Sequence, residues 1–525
     1  MDLGSFGRKC VYDVLLRGGW VLDGTGAPAF RADVAVDHGR IAAVGALPGA
    51  RAAVEIDAAG RYVSPGFVDA HVHGDAAVLD PAVQLAALRQ GVTTFVLGQD
   101  GLSYAPATAA ALAFATRYFA AINGPHPGLG DGPVTVAELL ATYTGTTALN
   151  TAYLVPHGTV RHSALGPTGR AADAAELAVM AGMVEQALDE GACGISTGLE
   201  YIPGRYADTA ELAALTRVAA RRGLPHVSHM RGYEAAASGA MTELLAVARA
   251  SGVATHVSHY HGPAAELVAM VDDARASGID LTFDAYPYLR GCSILAMVAL
   301  PRDLDDPDLD RTRDALTDPR VRARLAADTD PDLWPRITLA HVPAEDFAWS
   351  EGMRLTDAAR KVGASPAAFC AELLIATDLQ ASAVFDQPPT NSDESVRALL
   401  RHPAHIGGSD GIYIGGSPHP RGWGAFARLL ARHVVELGDW TWEQAAVHLA
   451  AHPARRFGLT DRGLVRAGMA ADLAVVDPRK VADRADYGDA RRVADGIADV
   501  LVAGVPVLAD GELTGRTPGR PLRPR

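Results

Sequence analysis

Residues 66–75 read GFVDAHVHGD, an apolar run that ends in two closely spaced histidines. His71 and His73 occupy positions i and i+2, so at the end of a β-strand their side chains point to the same face. Two imidazoles on one face are typical of a metal site, although a His-x-His pair also arises by chance. In a parallel barrel that face is the interior at the C-terminal mouth, where active sites form.

The middle of the chain predicts such a barrel. Short β-branched runs alternate there with Ala- and Leu-rich helical segments, such as AADAAELAVMAGMVEQALDEG at 171–191. The predicted strands are 63–69, 92–98, 152–156, 193–197, 224–229, 253–259, 280–285 and 405–409. Eight strands separated by helices predict the α/β class, with a parallel (β/α)8 TIM-like barrel.

The two ends of the chain and one internal segment have a different pattern. Residues 1–62 and 464–525 alternate apolar and polar residues between Gly- and Asp-rich turns, which predicts short strands. We therefore expect both termini to build one β-sandwich domain around a barrel at 63–463. Segment 289–350 is charged and rich in Asp and Pro, and a structureless loop of that length is uncommon in a compact domain. It is predicted to be a small inserted subdomain within the barrel.

Two further histidines end neighbouring predicted strands. His229 and His259 each follow Val-Ser and lie 30 residues apart, which matches one strand–helix unit. They are therefore predicted at the same height on adjacent strands. Taken alone, each could equally be a hydrogen-bonded core histidine, but together with the His-x-His pair they favour metal binding.

An aspartate follows the last predicted strand, in IGGSDG at 406–411. The carboxylate of Asp410 at this position could hydrogen-bond a metal-bound water and accept its proton. The alternative is an Asx-type turn, which Ser-Asp-Gly often forms.

These residues lie in stretches that resemble one known family along nearly the whole chain, from about residue 12 onward. The stretches are PGFVDAHVHGD, GVTTFVLGQDGLS, GISTGLEYIPGRYADTAEL, HVSHMRGYE, VSHYHG, DAYPYLRGCS, GGSDGIYIGGSPHPRGWGAFARLL, HPARRFGL and GMAADLAVVDP. In this order they resemble the D-aminoacylase (N-acyl-D-amino-acid deacylase) family of the amidohydrolase superfamily. The resemblance is weakest at 100–150 and 300–400.

The resemblance implies a role for particular residues. It implies that the four strand-end histidines are zinc ligands and that Asp410 is the catalytic aspartate. Arg421, in HPRGWG, matches the arginine that binds the substrate carboxylate, and Tyr288, in YPY, matches a tyrosine beside that carboxylate. Tyr201 lies in the family's STGL loop and is a candidate substrate contact.

Three positions depart from the family pattern. Asp100 stands where the family has a cysteine that binds zinc, and a carboxylate can bridge two metals through its two oxygens. Because the only lysines are Lys9, Lys361 and Lys480, none on a predicted barrel strand, Asp100 is the candidate bridge. We expect either a fuller two-metal site or a weaker single one, with another divalent cation as an alternative to zinc.

The other two departures concern the carboxylate pocket. His261 replaces the family's usual lysine, and Cys292 aligns with its small hydroxyl residue, which leaves Ser293 one position away. These changes leave the acyl group and the amine portion of the substrate open.

The predicted function is metal-dependent hydrolysis of a linear amide, N-acyl-D-amino acid plus water giving D-amino acid plus carboxylate. Asp410 would act first as base and then as acid. One alternative is a cyclic-amide or amidine hydrolase of the same superfamily. The other is a catalytically silent binding protein on the same fold.

Composition limits the remaining possibilities. The formal net charge is −14, which disfavours nucleic-acid binding. No apolar run approaches the roughly 20 residues that a membrane span needs, and MDLGSFGRKCVYD at the N-terminus suggests no secretory signal. Four scattered cysteines fit a reducing cytoplasm. We therefore expect a cytoplasmic protein that binds neither nucleic acid nor a membrane. The family resemblance implies that its partner is a small amide substrate with a carboxylate, and the oligomeric state stays open.

Overall fold

The computed structural model describes residues 11–525. Lys9, Cys10 and the rest of the N-terminal segment that begins the predicted β-domain lie outside the described residues. No helix within residues 11–525 combines the length and apolar character needed to cross a bilayer.

Eight parallel strands form the barrel, and each overlaps one of the predicted runs. In chain order they are Phe67–Asp69, Val92–Leu97, Asn150–Tyr153, Ile195–Gly198, His226–His229, Thr255–Val257, Leu281–Ala285 and His405–Gly407. The third strand pairs with the second, and its continuation Val155–Pro156 pairs with the fourth. The ring closes where the Ala70 N–H donates to the Gly407 carbonyl at 3.1 Å. The predicted fold class is confirmed.

Helices connect the strands, and several begin and end at residues that favour such boundaries. Helix Ala174–Glu190 begins with a capping box between Asp173 and Glu176 and ends at Gly191. The other α-helices are Pro81–Leu88, Ala109–Tyr118, Val136–Tyr143, His157–Leu165, Thr209–Ala220, Ala237–Ser251, Ala264–Ala276, Leu295–Ala299, Leu309–Ala315, Pro319–Asp328, Leu355–Lys361, Pro366–Ala376, Asp393–Leu400, Arg421–Arg428, Trp442–Ala446 and His452–Arg456. Leu429–Glu436 and Val447–Ala451 are π-helical. The 3-10 turns are Ala77–Leu79, Gln99–Gly101, Gly204–Tyr206, Glu234–Ala236, Trp334–Arg336 and Glu345–Ser350.

Strands from both chain ends form one nine-stranded sheet. They are Val11–Val21, Phe30–Asp37, Arg40–Gly45, Arg51–Asp57, Tyr62–Pro65, Leu473–Val476, Ile497–Val502, Val505–Ala509 and Glu512–Leu513. The long first strand pairs with Arg51–Asp57 along its first half and with Tyr62–Pro65 at its end, and a bulge lies between Leu16 and Gly19. Side chains from both chain ends share one buried core.

A third unit interrupts the barrel after its seventh strand. It contains the antiparallel strands Arg290–Ile294, Ile337–His341 and Ser382–Asp386, of which the last is central. Its buried core includes residues from all three strands and from helix Pro366–Ala376. The unit therefore extends well past the predicted limit of 289–350.

The boundary at residue 62 also differs from the expectation, because Tyr62–Pro65 pairs inside the β-domain sheet. Gly66 separates it from the first barrel strand. The division of the chain into three domains stays a prediction, with the inserted unit extended past residue 350 and with Tyr62–Pro65 assigned to the β-domain.

Candidate active site

The carboxyl ends of the barrel strands bring together the six residues predicted to bind metal or catalyse. His71 and His73 follow the first strand, Asp100 the second, and His229 ends the fifth. His259 lies two residues beyond the sixth strand and Asp410 three residues beyond the eighth. All six side chains are buried.

The four imidazoles surround the carboxylate of Asp100. Its Oδ1 lies 3.5 Å from His71 Nε2, and its Oδ2 lies 3.5 Å from His73 Nε2. The same Oδ2 lies 3.4 Å from His229 Nδ1 and 3.8 Å from His259 Nε2. Two groups of donor atoms in this cluster have metal-site spacing, namely His71–Asp100–His259 and His71–His73–Asp410.

Three of these residues have left-handed backbones, with φ of 54° at Asp100, 36° at His259 and 51° at Asp410. Such conformations cost about 1–3 kcal/mol each outside glycine and cluster at functional sites. Close packing fixes the Asp100 turn, since a Cβ on Gly198 would lie 2.0 Å from the Asp100 carbonyl oxygen. The Asp410 N–H donates to the His71 carbonyl at 2.8 Å, which ties the first and last ligand loops together.

Two further carboxylates contact the imidazoles from outside the cluster. Glu200 Oε2 lies 2.9 Å from His229 Nε2, which leaves Nδ1 to face Asp100. Asp284 Oδ2 lies 3.4 Å from His71 Nδ1, and its Oδ1 accepts from the His259 N–H at 2.8 Å. Carboxylates in such positions select the ring nitrogen that binds a metal.

Electrostatics in the cluster keep the carboxylates ionised. Burial acts to lower the pKa of His73, but Asp100 and Asp410 outweigh it and raise this pKa to about 9. In the same way Asp100 and Glu200 overcome burial and raise the pKa of His229 to about 10. Burial acts to raise the pKa of Asp100, but neighbouring histidines hold it well below its usual range. The cluster therefore pairs ionised carboxylates with histidines that favour a positive charge, and a bound metal ion would supply that charge in place of the imidazole protons.

The cluster lies at the base of a cavity that contains most of the predicted substrate residues. Tyr201, His261, Cys292, Ser293 and Arg421 all line it. The Tyr201 hydroxyl and Ser293 Oγ are 2.8 Å apart. Arg421 Nη1 lies 2.8 Å from Asp410 Oδ2, and its Nη2 donates to the Cys292 carbonyl at 3.3 Å.

Tyr288 is not brought into this cavity, and its neighbour Tyr286 takes that place. The Tyr288 ring packs edge-on against His419, with 5.1 Å between ring centroids. Tyr286 lines the cavity, and the Arg421 guanidinium lies 4.8 Å from the centre of its ring. The seventh strand ends at Ala285, so strand alternation no longer predicts where these two rings point.

Sequence reasoning also missed Asp284 and Glu234. It gave Glu200, with Tyr201, as a candidate substrate contact in the STGL loop, whereas the structure pairs Glu200 with His229. Asp284 lies within the seventh strand. The one available signal was that strand alternation could place its side chain on the same face as the ligands at the ends of the other strands. Glu234 lines the cavity from the loop after the fifth strand, and nothing in HVSHMRGYE distinguishes it from a surface residue.

Comparison with known proteins agrees with this geometry. The model of the Amidohydrolase family matches residues 54–508. The N-acyl-D-glutamate deacylase of Alcaligenes xylosoxydans xylosoxydans is 36% identical over 97% of this chain and 96% of its own length. The chain belongs to the amidohydrolase family.

Two further relatives show how closely this amidohydrolase follows characterised members. The D-aminoacylase of the same organism is 33% identical over 97% of both chains. The crystal structure of N-acyl-D-glutamate deacylase from Bordetella bronchiseptica, complexed with zinc and a phosphonate mimic of the tetrahedral intermediate, superimposes with a TM-score of 0.81. That structure is 35% identical and covers 98% of this chain and 99% of its own.

Proposed function

We propose that this amidohydrolase hydrolyses N-acyl-D-amino acids to the free D-amino acid and a carboxylate. The observation that carries the proposal is the buried histidine–aspartate cluster beneath a cavity with a buried arginine. Relatives of matching length that are named for N-acyl-D-amino-acid and N-acyl-D-glutamate hydrolysis support this substrate class. A small amide carrying a carboxylate is therefore the expected partner.

The residues present fit a divalent metal. Asp100 Oδ1, His71 Nε2 and His229 Nδ1 are buried and lack a hydrogen-bond partner within the described chain, although all face the same centre. Imidazole and carboxylate ligands suit zinc. In the predicted arrangement His229, His259 and Asp100 would hold one ion, and His71, His73 and Asp100 would hold a second. The groups whose donor atoms already have metal-site spacing are His71–Asp100–His259 and His71–His73–Asp410, so His229 would have to move closer to the other ligands. A bound divalent cation supplies Lewis acidity that polarises the amide carbonyl and acidifies a water molecule.

Asp410 is the group that moves the proton. Its Oδ1 lies 3.4 Å from His73 Nε2, at the edge of the cluster that faces the cavity. Burial acts to raise the pKa of Asp410, but Arg421 and the histidines lower it, so the carboxylate is ionised and able to act as a base. It takes a proton from water as the amide carbon is attacked and returns it to the leaving nitrogen. Because the two steps are sequential, one carboxylate serves both.

Arg421 recognises the substrate carboxylate. Its guanidinium is buried, and its Nε lacks a hydrogen-bond partner among residues 11–525. A guanidinium can donate two parallel hydrogen bonds to a carboxylate. Tyr286, whose ring lies beneath the guanidinium, and the paired hydroxyls of Tyr201 and Ser293 complete this end of the cavity.

Replacing Asp410 by Asn tests the assignment. We expect turnover of N-acyl-D-amino acids to fall by roughly 10²–10⁴, the usual contribution of general acid–base catalysis, while the protein still holds at least one zinc per chain. Asp439→Asn is a matched control, because Asp439 pairs with His433 at 2.9 Å in another buried aspartate–histidine contact. Retained activity in the Asp410 variant would refute the assignment.

We also place the protein in a reducing compartment such as the cytoplasm. Cys193, Cys292 and Cys370 are free and buried, as expected where disulfides do not form.

A further inference from the structure

The wall of the cavity carries a glutamate that the proposed mechanism does not use. Glu234 lies five residues after His229 and has a left-handed backbone, with φ of 53°. Its side chain is only 14% exposed and lines the cavity. A left-handed glutamate at a ligand-binding wall is the kind of strained position that marks function.

One oxygen of this carboxylate has a partner and the other does not. Oε2 accepts a hydrogen bond from the Thr390 hydroxyl. Oε1 is buried and lacks a hydrogen-bond partner within the described part of the chain. A buried carboxylate oxygen without a donor is costly.

His261 lies close to this free oxygen, with its Nε2 3.8 Å away. His261 Nδ1 lies 2.7 Å from the His259 carbonyl oxygen. Because a carbonyl only accepts, Nδ1 carries a proton, and Nε2 faces the glutamate beyond hydrogen-bonding distance. Tyr233 stacks on the imidazole at 4.7 Å and holds the ring in place.

One nitrogen of a nearby arginine has a partner away from Glu234. Arg336 also lines the cavity, but its Nε donates to the Asp386 carbonyl at 2.7 Å. Among the ion pairs of residues 11–525, none within 4.0 Å joins Arg336 to Glu234. Burial raises the pKa of Glu234, and Thr390 and Arg336 partly offset this rise. Oε1 itself has no donor within hydrogen-bonding distance among the described residues.

We propose that Glu234 receives the end of the substrate side chain, and that the enzyme prefers N-acyl-D-amino acids with a cationic N–H donor there, a guanidinium or an ammonium group. The inference rests on the proposed function. A carboxylate side chain would meet the charge of Glu234, whereas a cation would supply the missing hydrogen bonds. The position also favours a long side chain. The His261 ring beside Glu234 is centred 6.3 Å from the ring of the metal-site residue His259, and the side chain must reach across that distance.

The test compares kcat/KM for the N-acetyl derivatives of D-arginine, D-lysine, D-methionine and D-glutamate with zinc-loaded protein. We expect D-arginine or D-lysine to exceed both D-methionine and D-glutamate by at least about tenfold, the discrimination of a single well-placed charged contact. Equal or higher values for D-glutamate would overturn the inference.

Variants assign the preference to the residue. Glu234→Gln, which keeps the shape, should lower the D-arginine to D-methionine ratio about tenfold, and Glu234→Lys should shift preference toward D-glutamate. Arg336→Met is the matched control at the same wall and should not lower the ratio. An unchanged ratio in Glu234→Gln, in protein with a normal melting temperature, would mean that the carboxyl group is only structural.

The two levels of the proposal fail differently. Turnover of D-methionine or D-glutamate derivatives in preference to D-arginine would refute the role of Glu234 and leave the deacylase function intact. No turnover of any N-acyl-D-amino acid would refute the proposed function itself.

Discussion

The two carboxylates behind the histidines should set how tightly the protein holds its metal. Glu200 contributes one charge-assisted hydrogen bond of 2.9 Å, to His229. Asp284 is fully buried and contacts two predicted ligands, His71 and His259, as well as His256 Nε2 at 3.0 Å. Removing either leaves its histidine free to rotate or to protonate at the nitrogen that should bind the metal.

The size of the effect follows from these contacts. One hydrogen bond to a charged group contributes about 1.5–3 kcal/mol, which is roughly a 10- to 100-fold change in affinity. Removing the hydrogen-bond partner of a metal ligand generally lowers metal affinity by the same 10- to 100-fold. Glu200 has a side chain that is 25% exposed, so Glu200→Gln should weaken zinc binding by about tenfold. Asp284→Asn should approach a hundredfold.

The assay is chelator competition on apoprotein, which reports zinc affinity independently of turnover. Asp439→Asn is the control, because it removes a buried aspartate–histidine contact far from the cluster. The predicted zinc dissociation constant is largest for Asp284→Asn and smaller for Glu200→Gln. It is smallest for Asp439→Asn and the wild type, which should not differ. If all three variants bound zinc like the wild type, the ligand assignment of His71 and His229 would be wrong.

Three further changes test other parts of the site. Arg421→Lys should raise KM for N-acyl-D-amino acids about 10- to 100-fold through loss of the bidentate geometry, and steady-state kinetics on the corresponding methyl esters should show no such penalty. Asp100→Cys should raise the ratio of the manganese to the zinc dissociation constant by roughly tenfold, because thiolates favour zinc over harder ions; an unchanged ratio in metal titrations would exclude Asp100 as a ligand. Burial lowers the pKa of His226 to about 3, below the unfolded value of about 6.5, so its stabilising contribution is complete above pH 6.5 and is lost as the pH falls toward 3. Melting temperatures of His226→Asn should therefore decline less steeply than those of the wild type between pH 7 and 4, and parallel curves would contradict this.

Much of the site could be predicted because barrel topology converts sequence positions into proximity. His71, His73, Asp100, His229, His259 and Asp410 come from five different strand ends, yet parallel strands place all their carboxyl ends at one mouth. The strand pattern therefore predicted that the four histidines and Asp410 meet, without any knowledge of helix packing. Asp100 was identified only through the family resemblance.

The remaining parts depended on contacts that sequence patterns do not specify. Tyr286 and Tyr288 share the same parity, but the chain leaves the sheet after Ala285. Beyond that point the Tyr288 ring packs edge-on against His419, whereas Tyr286 lines the cavity. The inserted unit was predicted to end at residue 350 because the segment 289–350 is charged and rich in Asp and Pro, but helix Pro366–Ala376 also belongs to its core. Its central strand, Ser382–Asp386, is recognisable only through antiparallel pairing with two distant segments.

Glu234 shows the same limit for specificity. Its role depends on a buried carboxylate oxygen that has no hydrogen-bond donor among the described residues, and on the position of the side chain in the cavity wall. Both are properties of side-chain placement, so only the folded chain distinguishes this glutamate from those on the surface.

The most direct test of the account is amine release from matched pairs of N-acyl-D- and N-acyl-L-amino acids, across acidic, apolar and basic side chains, by protein whose zinc content is measured in the same sample. We predict release from D-substrates and none from their L-enantiomers. Zinc-containing protein that releases no amine from any D-substrate, or that cleaves both enantiomers alike, would contradict the assignment as an N-acyl-D-amino-acid deacylase.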